Sequence, residues 1–242
     1  MRRRFFVEGV RSGQARIEGD EAHHLTKVLR VEAGQRYEIS DNRNVYLAEV
    51  ETARKQEVVF RTLEKLAPEP AMVRITLCAA LIKFDHFEWM VEKATELGVA
   101  EIVPVIATRS ERGLDKAAAK RAERWRRVAL EASQQARRAH LPVIREPHTL
   151  AEALALPATY RYALDEEPGG SSLACSFPAG RHSEDSVALL VGPEGGWTDA
   201  ERQQFAGSWA RVSMGPLILR AETAAIAAVA VTANSWLVHL DV

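Results

Sequence analysis

Two glycine-bearing segments near the end of this 242-residue chain hold the residue types best suited to chemistry. The first is Val191-Gly192-Pro193-Glu194-Gly195-Gly196-Trp197-Thr198. Glycines there let the backbone approach a ligand closely and leave amide N–H groups exposed. The segment lacks the Lys-Ser or Lys-Thr of a Walker loop and the spacing of a dinucleotide fingerprint. A tight strand-to-helix turn needing positive φ explains its glycines equally well. The second segment is Met214-Gly215-Pro216-Leu217-Ile218-Leu219-Arg220-Ala221-Glu222-Thr223-Ala224. Packing explains poorly an arginine, Arg220, set before an Ala-rich helix. Glu222 and Thr223 read as well as first-turn and capping residues. Leu217, Ile218 and Leu219 form an apolar loop, which normally covers something; a flat ring such as adenine would fit. A third stretch, Thr108-Arg109-Ser110-Glu111-Arg112, suits a phosphate contact, although a solvated loop is the slightly better reading in isolation.

The elements that position these segments follow from hydrophobic period. From Val73 onward strands alternate with helices. A buried apolar run covers 74–82. A helix follows over 85–97, with Asp85 and Glu88 as a capping pair and Gly98 at its stop. Strand 101–106 contains Pro104, which argues for an edge or a bulge. A long helix at 116–136, a short one at 151–155 and a strand at 161–164 come next. Strand 186–191, a helix over 198–205 capped by Thr198 and Glu201, and strand 210–214 lead to an Ala-rich helix over 221–237. This pattern predicts a mostly parallel α/β sheet with helices on both faces over residues 70–242. Ligands in such sheets bind beyond the carboxyl ends of the strands, which selects the turns after Leu164, Val191 and Met214. Residues 1–69 read differently. Stretches 35–40, 44–50 and 57–61 alternate with period two, as antiparallel strands of a small β-barrel do. One helix interrupts them at 20–29, with Asp20 as its N-cap. Leu66-Ala67-Pro68-Glu69-Pro70 is the expected linker.

Composition narrows the function classes. Two cysteines, Cys78 and Cys175, lie too far apart in sequence for a disulfide framework or a cysteine-rich metal site. The histidines give no metal-ligand spacing: His23 and His24 are adjacent, and His86, His140, His148, His182 and His239 are scattered. No metal is expected. A hydrolase with a G-x-S-x-G elbow is unsupported. No apolar run is long enough to span a bilayer, and the basic start Met1-Arg2-Arg3-Arg4-Phe5-Phe6 is not followed by a signal-peptide core, so the cytoplasm is the expected compartment. The net charge of −1 is unevenly spread: residues 109–145 hold eleven Lys and Arg against four Asp and Glu. Such a segment suits a phosphate-rich partner, and a solvated helix face accounts for it equally well.

Together the motifs resemble the bacterial small-subunit ribosomal RNA uracil-N3 methyltransferase family, a branch of the SPOUT (trefoil-knotted) methyltransferases. The matching pieces are His23-His24-Leu25-Thr26-Lys27-Val28-Leu29-Arg30, Lys83 with Glu88-Trp89-Met90-Val91-Glu92-Lys93-Ala94-Thr95-Glu96-Leu97-Gly98-Val99, Arg109-Ser110, Leu190-Val191-Gly192-Pro193-Glu194-Gly195-Gly196, and Met214-Gly215-Pro216 through Leu219-Arg220-Ala221-Glu222-Thr223-Ala224. They fall in order across nearly the whole chain. The chain departs from the family pattern at Leu217, usually Arg, at Ala221, usually Thr, and along Ser133-Gln134-Gln135-Ala136-Arg137-Arg138.

The resemblance implies a PUA-like RNA-binding barrel, a C-terminal domain with a trefoil knot, and a homodimer with its active site near the subunit interface. It implies S-adenosylmethionine bound among the three turns, held by Leu164, Gly192, Glu194, Gly195, Gly196, Met214, Leu217, Leu219, Thr223 and Ala224. The expected substrate is uracil N3 of a uridine in small-subunit ribosomal RNA, probed by Arg30, Lys83, Arg109, Arg112, Arg137 and Arg138. Uridine N3 is a poor nucleophile until its proton leaves, and the charge then spreads onto the base carbonyls, where a fixed cation helps. Arg220 is the candidate cation. Glu222 is expected either to hold Arg220 or to accept the proton. A SPOUT ribose 2′-O-methyltransferase and a non-catalytic ribosomal RNA-binding or assembly protein are the alternative readings.

Overall fold

A computed structural model describes residues 3–68, 72–167 and 169–237. Glu69 and Pro70 of the expected linker, and His239, lie outside the described residues. The chain divides into two compact units, one of residues 1–70 with 133–141 and one of residues 71–132 with 142–242.

The first unit holds β1 (Arg4–Phe6), β2 (Gln14–Glu18), α1 (Gly19–Lys27), β3 (Arg36–Ser40), β4 (Val45–Arg54) and β5 (Glu57–Lys65). Its five strands lie in the order β1-β3-β4-β5-β2, a curled sheet around Phe5, Ile17, Leu25, Ile39, Val50, Val58 and Phe60. Three of the four pairings are antiparallel as expected, but β1 runs parallel to β3. The helix differs in detail. Glu18, not Asp20, is the N-cap of α1, and it makes no side-chain capping bond. Asp20 and Glu21 sit inside the first turn, where a negative charge meets the positive end of the helix dipole. Residues 133–141 join this unit through polar contacts: Gln134 Nε2 donates to Glu21 at 3.0 Å, and Ser40 Oγ donates to the Ala139 carbonyl at 2.6 Å.

The second unit carries β6 (Arg74–Ala80), β7 (Glu101–Ile106), β8 (Val143–Ile144), β9 (His148–Thr149), β10 (Tyr160–Leu164), β11 (Ser171–Ser172), β12 (Ser186–Val191) and β13 (Ala210–Ser213). Its main path runs β11-β13-β10-β12-β6-β7-β8, with β9 also on β7, and every pairing is parallel. Helices α2 (Phe84–Glu96), α3 (Leu114–Gln135) and α6 (Ala221–Leu237) supply apolar residues to the core on one face. On the other face, α4 (Leu150–Leu154) and α5 (Asp199–Phe205) contribute Leu150, Ala153 and Phe205. The doubly covered sheet is the fold class expected from the alternation.

Local differences have physical reasons. Pro104 sits within β7, opposite Ala79 of β6, yet on its other side β8 pairs only with Glu101 and Ile102, and β9 only with Val105 and Ile106. The missing N–H thus falls at the gap between two short neighbours, where no ladder bond is lost. The capping pair Asp85 and Glu88 does not form: Lys83 is the N-cap of α2, without a side-chain bond, and Asp85 lies in the first turn. Thr198 and Glu201 do form a full capping box on α5. No helix among the described residues is long and apolar enough to cross a membrane.

Phe87 of α2 packs against Trp125 of α3 at a 4.5 Å ring-centroid distance, both fully buried. Phe87→Ala should lower unfolding stability in urea by about 3–5 kcal/mol. A loss within about 0.5 kcal/mol, as at exposed sites, would contradict this packing.

Candidate active site

Adjacent parallel strands end on the same edge of their sheet. Strands β13, β10 and β12 are neighbours, so the segments that follow them lie side by side. They enclose a cavity of about 560 Å³, lined by Leu164–Glu167, Val191–Gly196 and Ser213–Leu219 together with Ala221 and Ala224. The three turns singled out by the strand-end rule therefore form one pocket.

Trp197 and Arg202 hold the walls together. Trp197 is fully buried, and its Nε1 donates to the Leu164 carbonyl at 3.0 Å, tying the end of β10 to the glycine turn. Arg202 of α5 grips Asp165 through Nε and Nη2 at 2.9 and 3.0 Å, a two-point contact on a fully buried carboxylate. Gly196 has φ +67, and a Cβ there would collide with Glu166 Oε1. At Gly192 a Cβ would stand 3.0 Å from the Trp197 ring. Gly196 thus calls for glycine through its left-handed backbone, and Gly192 through the close approach of the Trp197 ring.

Asp165, Glu166, Glu167 and Glu194 line the pocket, while Arg202 is the cation shared among the first three. Arg211 adds a longer contact to Asp165, at 3.9 Å. Hydrogen bonds to Asp165 raise the Arg202 pKa further, so this cation stays charged at any working pH. The lining itself is a wall of carboxylates beside the apolar surface of Leu164, Met214, Leu217 and Leu219, with the guanidiniums of Arg109, Arg202, Arg211 and Arg220 set around it. Such a wall favours a ligand that is part ring and part cation.

Leu164, Gly192, Glu194, Gly195, Gly196, Met214, Leu217, Leu219 and Ala224 all line this pocket, whereas Thr223 is exposed and does not. Leu217 and Ile218 border it while remaining 75% and 87% exposed, so the apolar loop is open to solvent. Arg220 is exposed at the mouth, between the lining residues Leu219 and Ala221. Glu222 does not contact Arg220. It is buried away from the lining, with Oε1 3.2 Å from His86 Nδ1 on α2, and no hydrogen bond or ion pair links it to Arg220 among the described residues. Arg220 stands just before α6, whereas Glu222 lies in its first turn.

The expected RNA contacts belong to both units. Arg30, with φ +51, and Lys83, the N-cap of α2, are exposed. Arg109 is committed to the pocket itself: Nη1 donates to the Gly195 carbonyl at 2.9 Å and the Trp197 carbonyl at 3.3 Å. Arg137 pairs with Glu38, which also binds the buried Arg4, and Arg138 Nε donates to the His140 carbonyl. Arg112 is exposed on the loop before α3. Along α3, Arg121 and Arg124 pair with Glu88, Arg126 with Glu146 and Arg127 with Glu131, so much of the basic segment is internally balanced. Sequence reasoning missed Asp165, Glu166, Trp197 and Arg202. The run Asp165-Glu166-Glu167 directly after Leu164 was the available signal, at a turn the strand-end rule already selected.

With this geometry in place, comparison with known proteins is decisive. A family model described as RNA methyltransferase domain matches residues 69–233, and one described as RNA methyltransferase PUA domain matches residues 17–63. The chain belongs to this RNA methyltransferase family. It is 30% identical to the ribosomal RNA small subunit methyltransferase E of Bacillus subtilis (strain 168), over 86% of this chain and 85% of the relative. It is 34% identical to the protein of that name from Synechocystis, over 86% of this chain and 69% of the relative. The Neisseria gonorrhoeae ribosomal RNA small subunit methyltransferase E, solved bound to S-adenosyl methionine, matches at TM-score 0.83 and 29% identity, over 98% of both chains. A Legionella pneumophila protein solved with the cofactor SAM matches at TM-score 0.86 and 28% identity, over 96% of this chain and 97% of that one. The family's α/β methyltransferase fold, preceded by a PUA-type sheet, is therefore the fold of this chain.

Glu201 couples the walls of the site to α5. It accepts from the Thr108 and Thr198 backbone N–H groups, both at 2.8 Å. Burial pulls its pKa upward, but these bonds and the Thr198 hydroxyl outweigh it and hold the carboxyl below its ordinary value. A depressed pKa gives stability that is present above the unfolded value and lost as pH falls through the folded one. Glu201→Gln should cost about 1–3 kcal/mol at pH 7. Urea titrations should show that difference shrinking as the pH drops below about 4.3, the ordinary Glu value. A difference constant from neutral to strongly acid pH would contradict the assignment.

Proposed function

We propose that this chain methylates uracil N3 of a uridine in small-subunit ribosomal RNA, using S-adenosylmethionine. The observation that carries the reading is the single pocket made by three strand-end turns, apolar on one side and acidic on the other. It suits a cofactor with an adenine ring, a sulfonium and an ammonium group. Gly192, Gly195 and Gly196 present backbone without side chains to the pocket, the kind of close approach such a ligand needs. When bound, the cofactor supplies an already activated methyl group, so alignment is the protein's main task.

In this reading Leu164, Met214, Leu217, Leu219 and Ala224 cover the ring, while Gly192, Gly195 and Gly196 offer backbone. Glu194, with Glu166 and Glu167, faces the positive groups. Arg220 at the mouth opposes the charge that develops on the uracil carbonyls as N3 loses its proton. Glu222 acts at one remove: its contact with His86 fixes the start of α6, and with it the place of Arg220. Arg30, Lys83, Arg112 and Arg138 supply phosphate contacts, which position RNA without reading its sequence. The exposed apolar side chains of Leu217 and Ile218 at the pocket edge support a homodimer. The cytoplasm is the compartment in which this substrate is met.

Incubation of naked ribosomal RNA and of assembled small subunits with labelled cofactor, followed by nucleoside analysis, tests the chemistry. The expected product is N3-methyluridine; label on ribose 2′-O alone, or on neither, overturns the proposal. Arg220→Ala should lower kcat by about two to three orders of magnitude, as loss of one fixed charge-stabilising donor does, with cofactor Kd nearly unchanged. Gly196→Ala should instead weaken cofactor binding itself. If Arg220→Ala abolishes cofactor binding, Arg220 belongs to the pocket and not to the reaction.

A further inference from the structure

The amino ends of the same parallel strands hold a second cavity, of about 590 Å³. Arg74, Thr76, Glu101, Arg145, Arg161 and Ser186 line it together with residues 156–159. Period-two alternation explains the row. Along one face of the sheet β6 presents Arg74 and Thr76 before Cys78 and Ala80, β7 presents Glu101 before Val103, β10 presents Arg161 before Ala163, and β12 presents Ser186 before Ala188. On four neighbouring strands the apolar core thus gives way to polar side chains at the same end.

The charges there do not close. Glu101 is 5% exposed and is shared by two guanidiniums, with Arg145 Nε on Oε1 and Arg74 Nη2 3.5 Å from Oε2. Thr76 Oγ1 also donates to Oε2, at 3.4 Å. Arg161 is a third cation, and its Nε is buried without a hydrogen-bond partner among the described residues. One carboxylate therefore faces three guanidiniums, one of them with a desolvated, unused donor. A buried donor left unpaired is costly, and an incoming anion would relieve it.

We propose that this cavity binds a phosphate group, with Arg161 as its principal donor and with Arg74 and Arg145 adding positive charge along the same row. Planar guanidinium forks suit the tetrahedral oxyanion, and the resident Glu101 keeps two of them pre-oriented. Six-residue β12 spans roughly 20 Å, so this site and the pocket at the carboxyl ends can be filled independently. The phosphate comes either from an RNA backbone or from a free anion.

The test uses the full chain with Arg161→Gln, and with Arg74→Gln, whose side chain is 59% exposed and whose loss leaves the core intact. Inorganic phosphate should raise the Tm of the unaltered chain above its value in chloride at equal ionic strength, and both variants should lose that rise. Filter binding of a single-stranded oligouridylate separates the sources. If RNA supplies the phosphate, Arg161→Gln weakens binding several-fold and lowers the salt slope by about 0.7, one single-strand phosphate contact. If a free anion supplies it, RNA binding is unchanged while the phosphate effect still disappears in the variants. A phosphate effect that persists in both variants overturns the proposal, as does the absence of any phosphate effect together with unchanged RNA binding. The phosphate arm involves neither cofactor nor methyl transfer, so its failure is distinct from failure of the methyltransferase reading.

Discussion

Parallel strand pairing is the constraint on which the rest of this molecule depends. Because β13, β10 and β12 are neighbours running in one direction, the segments after Leu164, Val191 and Ser213 emerge at one edge, although they are distant in sequence. The pocket is a consequence of that adjacency. What the side chains add is rigidity: Trp197 spans from the glycine turn to the Leu164 carbonyl, Arg202 anchors Asp165, and Arg109 holds the Gly195 and Trp197 carbonyls. Loops are ordinarily the mobile part of such a sheet, and these bonds fix them in advance of any ligand.

The same geometry separates two electrostatic environments. At the carboxyl ends, Asp165, Glu166, Glu167 and Glu194 line the pocket and Arg109, Arg202, Arg211 and Arg220 surround it. At the amino ends, Arg74, Arg145 and Arg161 outnumber Glu101. A sequence with a net charge of −1 therefore places a carboxylate lining at one end of the sheet and a cationic one at the other. Neither is visible in the overall composition. The basic stretch that composition does reveal, along α3, is largely neutralised by Glu88, Glu131 and Glu146.

How far the sequence could be read depended on the range of the interaction involved. Alternation of buried strands with amphipathic helices is local, and it placed the sheet, the helices and the three relevant turns. Capping was legible where side chain and backbone both took part, at Thr198 and Glu201, and misleading where acidic residues simply favoured a helix start, at Asp20 and Asp85. Pairings across long separations were not legible. Nothing local joins Arg109 to Gly195, Glu222 to His86 or Arg137 to Glu38. The short strands β8, β9 and β11, two residues each, carry no periodic signal at all. A trefoil knot likewise has no signature in hydrophobic period and rests on family resemblance alone.

The central claim is that the three turns already form a binding pocket for S-adenosylmethionine. Thermal unfolding of the chain with and without the cofactor tests it most directly, since a ligand that binds only the folded state raises stability by mass action. At a hundredfold excess over Kd the gain should be about 2.7 kcal/mol, and Gly196→Ala should abolish most of it. An unfolding temperature unmoved by saturating cofactor would contradict the account.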